Sequence, residues 1–250
     1  VILQENLLTK QQTDEILKNK NKSDDYKFLK FIKLKDVSFK FQNKNEFIFE
    51  KLNLEINKNE IIGIYGPSGS GKSTFADLLS GLLKPSEGEI FMDDQKISNN
   101  IYSWRNKFGY VTQNVYLLDD TIKNNILFGD IENYDTPRLE RSIKLSQLSK
   151  VIENLPNGIE TAVGERGSML SGGQIQRIGI ARALYHESDI LIFDESTNAL
   201  DINSEEKIIE EIKNLKNIKT IIMISHKMSV LSVCDKIYKL ENKTLNLKGE

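Results

Sequence analysis

The run "EIIGIYG" followed by "PSGSGKSTFADLLSGLL", residues 60–83, leaves this chain few folds to choose from. A short apolar run ending in glycine fits a buried strand. Phe75, Leu78, Leu79 and Leu82 then fall at i, i+3, i+4 and i+7, the spacing of a helix with one buried face. Between the two, Gly66, Pro67, Ser68, Gly69, Ser70, Gly71, Lys72, Ser73 and Thr74 satisfy G-x-x-x-x-G-K-[ST], in the strand-then-helix setting that gives the pattern its meaning. The plain alternative is a glycine-rich turn that merely opens a helix, and by composition such a match arises by chance about once in a hundred chains of this kind. Glycines let an anion approach the backbone, and a helix N-terminus offers N–H groups and partial positive charge. In a phosphate loop Lys72 reaches the β- and γ-phosphates and the Ser73 hydroxyl binds Mg²⁺.

The surrounding pattern predicts an α/β architecture. "KLKDVSFKF" alternates with Val37, Phe39 and Phe41 on one face, and "FIFEKLNLEI" repeats the alternation with Leu52, Leu54 and Ile56 before the tight connection "NKNE". "DILIFD" and "KTIIMIS" read as further strands, and "NSEEKIIEEIKNLK" between them as an amphipathic helix opened by an Asn203/Glu206 capping box. Strand, helix, strand at this spacing implies a parallel sheet wrapped by helices. Residues 114–171 lack strand alternation and predict a helical subdomain. Residues 1–32 are polar, with an apolar rhythm at Leu3, Leu7, Leu8, Ile16 and Leu17 that predicts a short amphipathic helix and a linker, the main domain then covering 33–250.

Hydrophobic residues make up 39% of the 250, enough for a core, and 34 basic residues are balanced to a net charge of −2. No basic footprint for a nucleic acid partner results. Cys234, the single cysteine, excludes an internal disulfide and reads as a small core hydrophobe. The apolar runs all fall well short of the roughly 18 residues that a membrane-spanning helix requires. Because the sequence begins with Val1 rather than methionine, it is expected to be a piece of a longer chain.

A nucleotide site needs a second acidic partner. "DILIFDE" places Asp194 at the end of an apolar strand, where it would hold Mg²⁺, and Glu195 beside it, where a general base would meet an attacking water. "LSGGQ", residues 170–174, sets glycines before a helical stretch and reads as a second anion-binding helix start. With Gly66 to Thr74, Leu170 to Gln174 and Ile190 to Glu195 following one another in that order along the sequence, the chain resembles the nucleotide-binding domain of an ABC ATPase over about residues 33–245. The resemblance implies a P-loop NTPase core with a mainly parallel sheet, an N-terminal antiparallel β-subdomain and a helical subdomain. It implies ATP and Mg²⁺ as cofactors. It also assigns Gln113 in "GYVTQN" to the metal and the attacking water, His226 in "MISHK" to the γ-phosphate and Asp201 in "NALD" to a dimer interface. Phe41 falls where the family stacks an aromatic on adenine, with a core position as the alternative.

In that family two copies pair head to tail around two ATP molecules, so Ser171, Gly172, Gly173 and Gln174 are expected to reach the nucleotide of a second copy. "TAVGERG", residues 161–167, is similar to an exporter segment that touches the membrane domain, with Ala162 where a glutamate is usual and Glu165 and Arg166 matching. An exporter would carry a transmembrane domain before this segment in the same polypeptide, which places it at the cytoplasmic face of a membrane. An importer subunit, a non-transport ABC ATPase and a non-enzymatic switch are the alternatives. The exporter-like "TAVGERG" argues against the importer, and Glu195 with His226 against the switch. "GYVTQNVYLLDDTIKNNILFG" and "VCDKIYKLEN" resemble half-transporters that flip polyprenyl-diphosphate-linked oligosaccharides or related glycolipids, a generic lipid, peptide or drug exporter being the alternative.

Overall fold

A computed structural model describes residues 26–97 and 100–248. The helix expected around Leu3, Leu7, Leu8, Ile16 and Leu17 lies outside these residues. The first part of the chain runs β1 (Phe31–Phe39), β2 (Phe49–Asn57), β3 (Ile61–Tyr65), α1 (Lys72–Leu79), β4 (Glu87–Met92), β5 (Gln95–Lys96), α2 (Ile101–Arg105) and β6 (Phe108–Val111). Then come α3 (Ile122–Leu127), α4 (Thr136–Leu145), α5 (Ser149–Glu153), α6 (Gly172–Tyr185), β7 (Ile190–Asp194), α7 (Ile202–Asn214), β8 (Thr220–Ile224), β9 (Lys236–Glu241) and β10 (Thr244–Leu247).

An antiparallel sheet of order β2-β1-β4-β5 stands beside a six-stranded sheet of order β10-β9-β3-β8-β7-β6. In the larger sheet only the β10–β9 pair is antiparallel; the others are parallel. Every residue of β7 and β8 is buried, as continuous apolar strands covered on both faces require. Successive residues serve opposite faces: Ile190 and Ile192 join α1 and the antiparallel sheet in one core, whereas Leu191 and Phe193 join Ile208 and Ile212 of α7 in another. Residues 114–171 carry α3, α4 and α5, and a third cluster including Leu117, Ile126, Leu139 and Tyr185 packs them on α6.

Four expectations are corrected. The packed chain begins before residue 33: Tyr26 and Phe28 are buried, and the Tyr26 ring meets Trp104 edge to face at 5.2 Å. Strand β1 changes phase at Asp36, whose φ of 49° marks a bulge between Leu34 and Val37, and it ends at Phe39. Phe41 therefore lies outside the strand and is 40% exposed, which removes the core position. Helix α1 stops at Leu79, because Gly81 at φ 77° turns the chain out of the helix, and Leu82 is consequently 53% exposed rather than on the buried face. Helix α7 is capped not by Asn203 with Glu206 but by Asp201, whose carboxylate accepts from the Ser204 N–H at 3.0 Å; Asn203 sits inside the first turn.

Cys234 lies against Gly63, where an added Cβ would meet its sulfur at 3.1 Å. Burial, followed by the neighbouring Asp235 charge, pushes the thiol up to about 12, in keeping with a core role. Among the described residues no helix is long and apolar enough to cross a membrane.

Candidate functional site

The parallel order β3-β8-β7-β6 brings the segments that follow these four strands to one edge of the sheet. Those segments carry the phosphate loop, His226, Glu195 and Gln113 respectively. Residues scattered over 160 positions thus converge because of strand register alone.

The loop between β3 and α1 is closed by the Ser70 N–H bonding to the Pro67 carbonyl at 3.2 Å. Gly71 at φ 95° forms the N-cap of α1, and no side chain caps that helix start. A Cβ on Gly71 would come within 2.6 Å of Ile48 and 2.7 Å of the Phe49 ring, and one on Gly66 within 2.3 Å of the Leu240 carbonyl oxygen, so a side chain at Gly66 runs into backbone and one at Gly71 must displace packed side chains. Lys72 is buried; its Nζ donates to the carbonyls of Gly66 at 3.1 Å and Pro67 at 3.0 Å and stands 3.9 Å from Glu195 Oε1. The Ser70 hydroxyl is buried within this loop and finds no partner among the described residues.

At the end of β7, Asp194 is buried and bonded to the Ser73 hydroxyl, and Tyr110 of β6 donates to its Oδ2 at 3.3 Å. Burial raises the Asp194 carboxyl above its ordinary range, with the Ser73 and Tyr110 bonds opposing. The same phenol bonds Asp77 of α1, also raised by burial, and its own burial, followed by the two acids beside it, drives Tyr110 strongly upward. Tyr110 therefore stays a neutral donor between two carboxyl groups.

Glu195 adopts φ 47°, a left-handed conformation uncommon outside glycine, and is pinned by its N–H bonding to the Ile224 carbonyl at 2.9 Å. Its Oε2 accepts from Gln113 Nε2 at 3.2 Å and from Asn198 Nδ2 at 2.9 Å, while His226 Nδ1 lies 3.8 Å from Oε1. The 66–74 loop, Asp194, Glu195, Gln113 and His226 thus form one cluster.

The glycines of "LSGGQ" open α6. Ser171 caps it by accepting from the Gln174 N–H at 3.3 Å, and Gln174 Oε1 accepts from the Ser171 N–H at 2.8 Å, a reciprocal capping box. The Ser171 hydroxyl keeps its proton free to donate. Gly172 and Gly173 sit on the segment after β7, where added Cβ atoms would meet Ala199 at 3.4 and 3.2 Å. Among the described contacts, none links Phe41 or Ser171, Gly172 and Gly173 to residues 66–74. Asp201, besides capping α7, stands 3.3 Å from Arg177 of α6.

Three residues of the cluster were not singled out in the sequence: Tyr110, Asn198 and Gln176, the last a buried side chain of α6 that bonds the Gln113 carbonyl. Asn198 had one signal, its place three residues after Glu195 in the same turn. Tyr110 and Gln176 had none, since pattern alone does not mark a polar atom inside an apolar element.

Residues 49–198 match the family model described as ABC transporter. The chain belongs to the ABC transporter family. ATP binding comes with that membership. Relatives named ATP-dependent lipid A-core flippase include those of Pectobacterium atrosepticum, 37% identical over 87% of this chain and 38% of the relative, and of Escherichia coli, 36% identical over the same shares. The one from Ralstonia nicotianae is 35% identical over 84% of this chain and 36% of its own length. The chain thus spans little more than a third of the curated relatives it matches. Among solved structures, a bacterial Atm1-family ABC exporter with ATP bound is similar at TM-score 0.82 and 31% identity, over 94% of this chain and 43% of that one.

The family implies Mg²⁺, and the donors at hand suit it. Among the described residues no group of three or more His, Cys, Asp or Glu side chains could cage an ion. One hydroxyl, Ser73, one carboxylate, Asp194, and one amide, Gln113, form a hard oxygen set that fits an ion held mainly by phosphates and water.

Proposed function

We propose that this chain is the ATP-hydrolysing domain of an exporter. Gly66 to Thr74 take the phosphates of ATP, with Lys72 released from its own carbonyls to the β- and γ-phosphates, and Phe41 stacks on the adenine. Ser73, Asp194 and Gln113 would hold Mg²⁺, which supplies charge neutralisation at the phosphates. Glu195 accepts the proton of the attacking water, Gln113 and Asn198 fixing its carboxylate, while His226 contacts the γ-phosphate.

A second copy is the proposed partner, paired head to tail so that Ser171, Gly172, Gly173 and Gln174 reach its γ-phosphate and Asp201 lies at the interface. The γ-phosphate would then hold the closed pair and its loss release it. The relatives' greater length and the exporter neighbour favour a membrane domain ahead of this segment in the same polypeptide, with this domain at the cytoplasmic face of a membrane. The flippase names favour a lipid-linked, glycolipid-type cargo. No observation favours an importer subunit or a non-transport ATPase.

The convergence of Lys72, Gln113, Asn198 and His226 on one Glu195 carboxylate carries this reading. Its test is the mass in solution of Glu195→Gln with ATP and Mg²⁺: a nucleotide-dependent shift from monomer to dimer is expected, together with turnover reduced at least about 10²-fold. Near-normal turnover in Glu195→Gln would sink the general-base assignment.

A further inference from the structure

Gln176 follows Ser171 on α6 by little more than one turn and is 4% exposed. Its amide bridges two segments: Nε2 donates to the Gln113 carbonyl oxygen at 3.2 Å, and Oε1 accepts from the Ala199 N–H at 3.4 Å. Those segments carry the two side chains that grip Glu195. Gln113 reaches Oε2 through its own amide, and Asn198, the neighbour of Ala199, reaches the same oxygen.

A buried amide satisfied on both ends fixes the separation of the groups it joins, because withdrawing either leaves a buried polar atom unpaired. The first two turns of α6 are seated on the same segment and on the start of α7, Gly173 against the Ala199 carbonyl and Arg177 on Asp201 and Ser204 at 3.3 and 2.5 Å. Helix α6 and the segment after β7 are therefore joined at successive points, and Gln176 alone of these also holds Gln113.

We infer that Gln176 is a positioning residue that makes the placement of Glu195 depend on the placement of α6, and so couples hydrolysis in this chain to the nucleotide that Ser171 and Gly173 clasp on a second copy. This rests on the paired arrangement proposed above. A nucleotide held at Ser171 steadies α6; α6, through Gln176, steadies the carbonyl of Gln113 and the N–H of Ala199; these hold the two amides on the base. Each site then senses whether the other is filled.

The test compares Gln176→Ala and Gln176→Glu with the unsubstituted chain in ATP turnover, ATP affinity and the Hill coefficient for ATP, and measures solution mass with ATP and Mg²⁺ after combining each with Glu195→Gln. Gln176→Glu has the same shape and keeps an acceptor for the Ala199 N–H, but turns an acceptor toward the Gln113 carbonyl. For both variants turnover is expected to fall about tenfold or more, and the Hill coefficient to fall from above one to about one. ATP affinity is expected to stay within about twofold and the combined variants to remain dimeric. Unchanged turnover or cooperativity in either folded variant overturns the inference. So does a parallel loss of affinity, dimer and turnover, the mark of a merely structural contact. An unsubstituted chain that does not hydrolyse ATP, beside a Glu195→Gln form that stays monomeric, would overturn the proposed function itself and the coupling with it.

Discussion

Asn198 Nδ2 donates to Glu195 Oε2 at 2.9 Å, closer than the 3.2 Å of Gln113 on the same oxygen. The turn that produces this contact is closed by the Asn198 N–H bonding to the Glu195 carbonyl at 3.2 Å, so backbone and side chain of one residue fix the candidate base. A bond to a charged group contributes about 1.5–3 kcal/mol, and Asn198→Ala is expected to lower turnover at saturating Mg-ATP by about tenfold or more with ATP affinity little changed. Asn198→Asp should be worse, since a second carboxylate would repel Glu195. Steady-state rates decide; an Asp variant as active as the unsubstituted chain would remove Asn198 from the site.

Two glycines of the phosphate loop should respond very differently to alanine. Gly69 has φ 79° with nothing within 4 Å of an added Cβ, so Gly69→Ala carries only the left-handed penalty of about 1–2 kcal/mol. Gly71 at φ 95° bears the same penalty and also drives its Cβ into Ile48 and Phe49, adding about 1–3 kcal/mol. Urea unfolding of the two variants should rank Gly71→Ala clearly lower. Equal midpoints would mean that the Ile48 and Phe49 side chains yield without cost.

How much of this was legible depended on whether an element's reason lay within it or across the sheet. The phosphate loop, β3, β7 and β8 were readable because apolar runs and glycines carry their own signals. Strands β4 and β9 were not, since "EGEIFM" and "KIYKLE" are short and charged and are specified by partners, β1 and β3. The β9–β10 hairpin turns through Asn242 and Lys243, both at positive φ, where lysine replaces the glycine that would have announced it. The site was legible as motifs but not as geometry: the residues that hold the motif residues, Asn198, Gln176 and Tyr110, are ordinary polar letters until the strands are in register.

Asp201 makes two contacts within its own chain that the sequence did not announce. As N-cap it accepts from the Ser204 N–H at 3.0 Å, and as an ion-pair partner it faces Arg177. Asp201→Ala should lower the melting temperature through loss of the cap, whereas Asp201→Asn keeps a capping oxygen and should lose little. If Asp201 also serves the proposed interface, Asp201→Asn combined with Glu195→Gln will show weaker ATP-dependent dimerisation at unchanged melting temperature. A full-strength dimer would confine Asp201 to its own chain.

Cys234 should be nearly inert. With its thiol pushed up to about 12, against 9.0 for an unperturbed group, the thiolate fraction at pH 8 falls by about 10³-fold. Reaction with a thiol reagent at pH 8 is expected to be slower than in denaturant by about that factor, and to accelerate with rising pH well beyond pH 9. A fast native reaction at pH 8 would mean that this end of the sheet opens readily.

Phe41 poses the sharpest contrast between stability and binding. Its ring meets Phe39 edge to face at 5.1 Å but is 40% exposed, beyond the end of β1, so truncation removes little buried surface. Phe41→Ala should therefore leave the melting temperature nearly unchanged. Stacking on a base contributes about 1–3 kcal/mol, so ATP affinity should fall by about 5- to 150-fold while turnover at saturating ATP holds. Tyrosine or tryptophan at this position should restore affinity, because a π-face is all that adenine stacking demands, whereas leucine, equally apolar, should not. An affinity that follows hydrophobicity rather than aromaticity would show that residue 41 only shields the nucleotide from water.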